Sequence, residues 1–375
     1  MMLPALPKSL GRLSDVFISA LGAISGKHNR LALPSVKSAC VIMVDGLGSV
    51  NLRNRAGHAP RLLAALERDG SIQVGFPSTT ATSLSSFSTG DRAGKHGMVG
   101  YQIYDRSAGE QVNLLTGISS RADAAKWQKS KTVSELAKEQ SIDCFFVGAA
   151  EYENSGFTMA TMPAAKYHPG KSIQDRFDAA LNILQTKKRS LVYLYIPELD
   201  MKAHQFGAKS GEWVQKLEEL ESELAKFRAK LPESVGVLLT ADHGIIDVDH
   251  SNHIYLDEFE LPQLIAVGGD PRVLYLYFEN PPTSAFASTL QDQLGSRVLV
   301  ATNKQLVEAG WFAEVEEFAR DRMPDIFLIS IGEVALYHRD FAKPKSLKMI
   351  GQHGSISDQE LTVPLLRFGD FEKRD

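Results

Sequence analysis

Short, continuously apolar runs alternate along this chain with stretches whose apolar residues recur at helical spacing. Ser38 to Val44 (SACVIMV), Asp143 to Gly148 (DCFFVG), Ser190 to Ile196 (SLVYLYI) and Val235 to Thr240 (VGVLLT) lack a two-residue period. That is the signature of strands buried on both faces of a parallel sheet. Ser71 to Phe76 reads as a further strand. Ala59 to Arg68, Thr132 to Glu139, Ile173 to Thr186 and the charged stretch Gly211 to Lys230 carry the helical pattern. The alternation predicts an α/β fold: a doubly wound, mostly parallel sheet with helices on both faces and its functional residues at the carboxyl ends of strands.

Two regions depart from this pattern. Near the start, Leu10, Leu13, Phe17, Leu21 and Ile24 recur at helical spacing, while Gly11, Ser14 and Asp15 interrupt any apolar signal core. An amphipathic docking helix is expected there, within an N-terminal helical extension over 1–37. Past His250, strand-like runs (Leu264 to Val267, Val273 to Phe278, Arg297 to Val300) alternate with helical ones (Pro282 to Gln293, Lys304 to Ala309). This predicts a smaller inserted α+β subdomain over 256–347, leaving 38–255 and 348–375 as the α/β core, to which Thr362 to Phe368 (TVPLLRF) returns.

Composition narrows the partners. The chain has 375 residues, 43% of them hydrophobic, and a net charge of -4 with no long basic run, so neither a nucleic-acid groove nor a membrane-surface patch has support. No stretch reaches the roughly 18 apolar residues of a membrane span, and a cytoplasmic location is expected. Cys40 and Cys144 lie inside predicted strands, where a thiol acts as a small hydrophobe, and a disulfide scaffold is excluded.

The candidate chemistry centres on Phe76 to Tyr101 (FPSTTATSLSSFSTGDRAGKHGMVGY). Ser78 and Thr79 can cap a helix starting at Thr80, placing a hydroxyl at a helix N-terminus, where phosphate or sulfate is favoured. Acidic residues then follow three predicted strands: Asp45 in VDGLG, Asp200 with His204 in PELDMKAHQFG, and Asp242 with His243 in TADHG. A carboxylate directly after a buried strand is costly unless it is paired or binds a cation. Asp200 and His204, four apart, share a helix face, and His353 sits between two glycines in GQHG. Each has an ordinary reading alone, as a cap, a solvated position or a loop residue. Together, three carboxylates, three imidazoles and a hydroxyl suffice for two zinc-like ions with open positions. His96 in GKHG reads as fixing the turn after the hydroxyl-rich helix, and His250 and His253 are candidates for orienting a ligand carboxylate.

In order and spacing these motifs resemble the alkaline phosphatase superfamily, specifically its type I phosphodiesterase/nucleotide pyrophosphatase branch, from about Ala39 to Arg367. The resemblance implies that Asp200, His204 and His353 hold one zinc ion and that Asp45, Asp242, His243 and Thr80 hold the other; manganese or iron would suit the same donors. It implies that Thr80, counted back from Ser88 to Gly90 (STG), is the nucleophile, with Thr79 as the alternative. Phosphodiester or pyrophosphate hydrolysis would then run through a phospho-threonine, two inversions giving retention at phosphorus. The backbone N–H of Ala81 would serve the phosphoryl oxygens. Nucleotide-cleaving members follow the nucleophile with Phe-Pro-Asn, whereas this chain has Ala81, Thr82 and Ser83. Ser83 would replace the Asn donor with a shorter reach, and Tyr101, Tyr152 or Phe157 would take over stacking. The expected partner is a small phosphoryl substrate, a nucleotide among the candidates, with the oligomeric state open. A phosphonate C–P hydrolase using Lys126, Lys129 or Lys131, a phosphomonoesterase, and a zinc-stabilised binding module are the alternatives. A sulfatase is disfavoured, because neither cysteine stands where a formylglycine precursor would.

Overall fold

The structure, a computed structural model, describes residues 11–372. Along the chain come α1 (Val16–Ser25), β1 (Ser38–Val44), α2 (Thr80–Thr89), β2 (Asp143–Gly148), β3 (Lys166–Pro169), α3 (Ile173–Thr186), β4 (Ser190–Ile196), α4 (Glu198–Phe206), α5 (Gly211–Ala229) and β5 (Val235–Thr240). There follow β6 (Leu264–Asp270), β7 (Val273–Phe278), β8 (Val298–Thr302), β9 (Ile326–Ser330) and β10 (Leu366–Gly369). The main sheet has the order β10-β5-β1-β4-β2-β3, parallel except for β10 against β5. Every residue of β1, β4 and β5 is buried, odd and even positions alike, so both faces of the pleat are covered. This is the α/β fold that the unbroken apolar runs predict.

The register explains where the acids meet. Val44 pairs with Ile196 and Met43 with Thr240, so β4, β1 and β5 end side by side. Asp45 follows β1, Asp200 stands in the first turn of α4 after β4, and Asp242 follows β5 by two residues. β1 has β4 on one side and β5 on the other, the kind of position where open parallel sheets hold ligands.

The strand β6-β7-β9-β8 sheet is antiparallel throughout. Val273, Tyr275 and Tyr277 of β7 face the main core, while Leu274, Leu276 and Phe278 face a second apolar cluster with Leu256, Leu290, Ile326 and Leu328. Both faces are therefore apolar, one of them docked on the α/β core.

Three expectations change. The strand expected over 71–76 is limited to Ser71–Gln73 and pairs antiparallel with Thr362–Pro364, away from the main sheet. TVPLLRF splits there: Pro364 has no N–H to continue a ladder, and β10 starts two residues on. The expected amphipathic helix α1 does dock, but it keeps no exposed polar face. Seven of its ten residues are buried, and Phe17 stacks on Phe87 of α2 at 4.7 Å between centroids. Leu10, the first position of the expected pattern, lies outside the described residues.

Candidate active site

Helix α2 opens at Thr80 with Thr79 in extended conformation before it. The expected side-chain caps do not form: Ser78 Oγ donates to the carbonyl of Ser355, and Thr79 Oγ1 donates to Thr82 Oγ1 at 3.2 Å. The first-turn N–H groups, that of Ala81 included, are thus left to an incoming acceptor. Ser83 lies one turn on from Thr80, and its buried Oγ has no hydrogen-bond partner.

His96 anchors the far part of this helix. The N–H of Met98 donates to its Nδ1 at 3.1 Å, which leaves Nε2–H to donate to Ser86 Oγ at 2.9 Å, and Ser86 donates in turn to the Thr82 carbonyl. Burial drives its pKa down to about 3. His96→Ala is expected to cost about 2–4 kcal/mol in denaturant unfolding at neutral pH. A histidine with a lowered folded-state pKa contributes stability present above its unfolded value and lost as pH falls, so this cost should shrink between about pH 6.5 and pH 3.

Thr80 Oγ1 lies 3.1 Å from His243 Nε2, which is 3.3 Å from Asp45 Oδ1 and 3.6 Å from Asp242 Oδ2. His204 Nε2 is 3.2 Å from Asp200 Oδ2, and His353 Nε2 is 4.0 Å from Asp200 Oδ1. The rings of His243 and His353 stack at 3.6 Å between centroids. Ligand atoms of Asp45, Asp242 and His243 all lie within 4.8 Å of one another, as do those of Asp200, His243 and His353. His204 joins the second set through Asp200. The structure thus brings all seven residues, Thr80 included, into one site.

Local structure aims these side chains. His204, His243 and His353 each turn Nδ1 to a backbone carbonyl, of Gly351 (2.8 Å), Gly244 (3.3 Å) and Ser78 (3.1 Å). Nδ1–H donation leaves each Nε2 lone pair free for a cation. Asn51 clamps the loop after β5 by bonding both the N–H and the carbonyl of Ile245. Gly244 permits close approach: a Cβ there would come within 1.9 Å of the Gln359 carbonyl.

The electrostatics suit cations. Asp45 Oδ1, Asp200 Oδ1 and Asp242 Oδ2 are buried without hydrogen-bond partners. Burial, then the charges of Asp242 and Asp200, holds the Asp45 carboxyl well above its ordinary pKa, and burial raises Asp242 against the pull of His243. Burial works against the Asp200 carboxylate as well, but His204, with His353 and His243, holds it below the usual range. Burial and the neighbouring His243 push His353 well below the usual imidazole value. Three converging carboxylates with orphaned oxygens and three imidazoles with free lone pairs fit two divalent cations.

Residues 39–356 match the profile of type I phosphodiesterase / nucleotide pyrophosphatase. The chain belongs to that family. An uncharacterized pyrophosphatase/phosphodiesterase of Schizosaccharomyces pombe is 24% identical over 246 residues, 62% of this chain and 50% of that protein. Venom phosphodiesterase 2 of Crotalus adamanteus is 23% identical over 195 residues, 49% of this chain and 23% of that protein. The chain therefore spans half or less of the length of these relatives. Murine ectonucleotide pyrophosphatase / phosphodiesterase 5 shares the fold with a TM-score of 0.68 at 17% identity, covering 88% of both chains. Phosphonoacetate hydrolase from Sinorhizobium meliloti 1021 does so with a TM-score of 0.68 at 18% identity, covering 89% of this chain and 91% of that one.

Against this family background, the residues expected at the rim divide. Tyr152 lies edge-on to Tyr195 at 5.9 Å, and Tyr195 donates its hydroxyl to Asp45 Oδ2, so Tyr152 lines the Asp45 side. Tyr101 is half-buried and close enough to feel the charges of Asp270 and Asp200. Phe157 is 8% exposed in the main core and leaves no free face for stacking, because its helix packs inward against neighbouring helices. Lys126 is held by Asp105 and Lys131 by Glu139, while Lys129 is exposed. Sequence reasoning missed Tyr195, whose place in SLVYLYI signals only a buried strand. Among the described residues, no helix is long and apolar enough to cross a membrane.

Proposed function

We propose that this chain hydrolyses phosphodiester or pyrophosphate bonds of small molecules through a phospho-threonine on Thr80. Two zinc ions would be held by Asp200, His204 and His353 and by Asp45, Asp242 and His243. The observation that carries the reading is a helix-start hydroxyl, 3.1 Å from His243 Nε2, beside three buried carboxylate oxygens without protein partners. Bound cations would supply Lewis-acid stabilisation and lower the pKa of coordinated oxygens. The chain's own groups account for the rest. Thr80 Oγ1, its proton released to solvent, attacks phosphorus in line as the bond from phosphorus to the leaving oxygen breaks, the first-turn N–H of Ala81 and the Ser83 hydroxyl donate to the phosphoryl oxygens, and Tyr195 fixes the Asp45 carboxylate. Water then cleaves the phospho-threonine from the face that the leaving group vacated, restoring the hydroxyl.

Zinc-loaded protein is expected to turn over an aryl phosphodiester and a dinucleotide pyrophosphate faster than an aryl phosphomonoester or phosphonoacetate, and a chelator should remove the activity. Preference for phosphonoacetate would move the site to carbon–phosphorus chemistry, for which the engagement of Lys126 and Lys131 by carboxylates is unfavourable. Bound metal without turnover on any of the four would leave the binding-module reading.

A further inference from the structure

The turn between β6 and β7 lies directly on the loop that carries His353. Gly354, the next residue, has a φ of +129°, and a Cβ on it would lie 3.2 Å from Val273 Cγ1 and 3.5 Å from Arg272 Cβ. Arg272 and Glu360 are fully buried and meet as a fork: Nε and Nη2 donate to Oε1 and Oε2 at 3.0 and 2.8 Å. Arg272 Nη1 donates to the carbonyls of Gly332 and Val334, just after β9, so the guanidinium is anchored in the antiparallel sheet. Glu360 is anchored on the other side. Its Oε1 also accepts the N–H of Ser355 at 2.9 Å, its Oε2 the hydroxyl of Ser357 at 2.6 Å, and its backbone carbonyl the N–H of Gly244, beside His243, at 3.0 Å.

From Ser355 the bonds run on to the cation site. The Ser355 carbonyl accepts the Ser78 hydroxyl at 2.7 Å, the N–H of Gly354 donates to the same Ser78 Oγ at 3.2 Å, and the Ser78 carbonyl accepts His353 Nδ1–H at 3.1 Å. The route from Arg272 to His353 is thus unbroken, and neither Arg272 nor Glu360 belongs to a candidate ligand group. A buried carboxylate gripped by a guanidinium fork keeps one orientation, and so does the backbone bonded to it. We propose that Arg272 is a positioning residue for His353, acting through Glu360 and the Ser355 N–H, so that cation binding and the docking of the antiparallel sheet on the α/β core are coupled. The proposal rests on the two-cation reading above. Coupling is reciprocal: a docked sheet that strengthens cation binding is itself held more firmly once the cation is bound.

The test titrates the full chain, stripped of metal, with zinc and in parallel with manganese(II) in a calorimeter. Arg272→Lys keeps the charge but not the fork, and should weaken the binding of one of the two ions by roughly tenfold or more while the other stays within about threefold. An apolar residue at 272 alone would leave Glu360 charged and unpaired, so the pair is also replaced together. Arg272→Met with Glu360→Met should fold with near-wild-type stability and show the same loss of affinity. In a His353→Ala background, Arg272→Lys should add less than about twofold to the loss that His353→Ala causes by itself, because the route is already cut. Added zinc should slow hydrogen exchange in β7 and β9 of the wild type, and much less in Arg272→Lys and the double variant. Variants that unfold more easily yet bind both ions as the wild type does would overturn the proposal and make the pair a brace of the fold alone. An equal Arg272→Lys loss with and without His353 would overturn it too. A wild type that takes up neither metal would overturn the two-cation reading, and the proposal with it.

Discussion

Thr80→Ala is expected to leave the fold and the cation-binding residues in place while lowering turnover by a factor of about 10³ or more. Thr80 is only 8% exposed, but its one polar contact in the structure is His243 Nε2 at 3.1 Å, so the substitution removes the hydroxyl without breaking a structural bond elsewhere. Alanine is also a better helix former than threonine, and the stability change should stay within about 1 kcal/mol. Thr79 is a different case. Its hydroxyl is spent on Thr82 Oγ1, and its backbone carbonyl accepts the first helical bond from Ser83. Thr79→Ala should therefore retain most activity, whereas Ser83→Ala, which removes an unpartnered donor on the Thr80 side of the helix, should cost about tenfold to a hundredfold. The measurements are turnover, bound metal, unfolding midpoint, and acid-quenched mass spectrometry locating phosphate on residue 80 of the wild type. Near-full activity in Thr80→Ala, with loss in Thr79→Ala, would reassign the nucleophile.

The legible parts of this chain were those where one physical demand governs a contiguous stretch. Burial on both faces writes an unbroken apolar run, so β1, β2, β4 and β5 could be bounded from sequence, and the polar residues after them stood out as anomalies. Asp45, Asp200, Asp242 and their histidines were visible for the same reason. The rest depends on tertiary pairing. Nothing local tells Ser71–Gln73 that its partner is Thr362–Pro364 and not the main sheet. Tyr195 is indistinguishable from any buried strand aromatic until β1 places the Asp45 carboxyl under its hydroxyl. Phe157 looked available for stacking because a single aromatic in a loop-like stretch carries no sign of which way its helix packs.

Asp242→Asn is expected to abolish turnover, weaken metal binding and yet raise the unfolding temperature of the metal-free protein. Asp242 is fully buried; its Oδ1 accepts the N–H of Gly46 at 3.2 Å, and its Oδ2 has no partner. An asparagine keeps the first bond and removes the charge. Burial holds the Asp242 carboxyl above its ordinary pKa, with Asp200 adding to the rise and His243 opposing it. A carboxyl with a raised folded-state pKa contributes stability that is fully present below its unfolded value of about 4 and is lost as pH rises through the folded value. The gain from Asp242→Asn should therefore be largest near pH 8, on the order of a few degrees, and shrink towards pH 4. Taking wild type minus variant at each pH cancels the opposite acid dependence of His96 and His353, which both proteins share. With metal bound the order should reverse, because a cation that binds only the folded state stabilises the wild type by mass action and the variant has lost a donor. Scanning calorimetry of both proteins with and without chelator reads all of this. A variant less stable than wild type in chelator at pH 8 would mean that Asp242 is a structural carboxylate, satisfied within the fold, and not part of a site built to receive a cation.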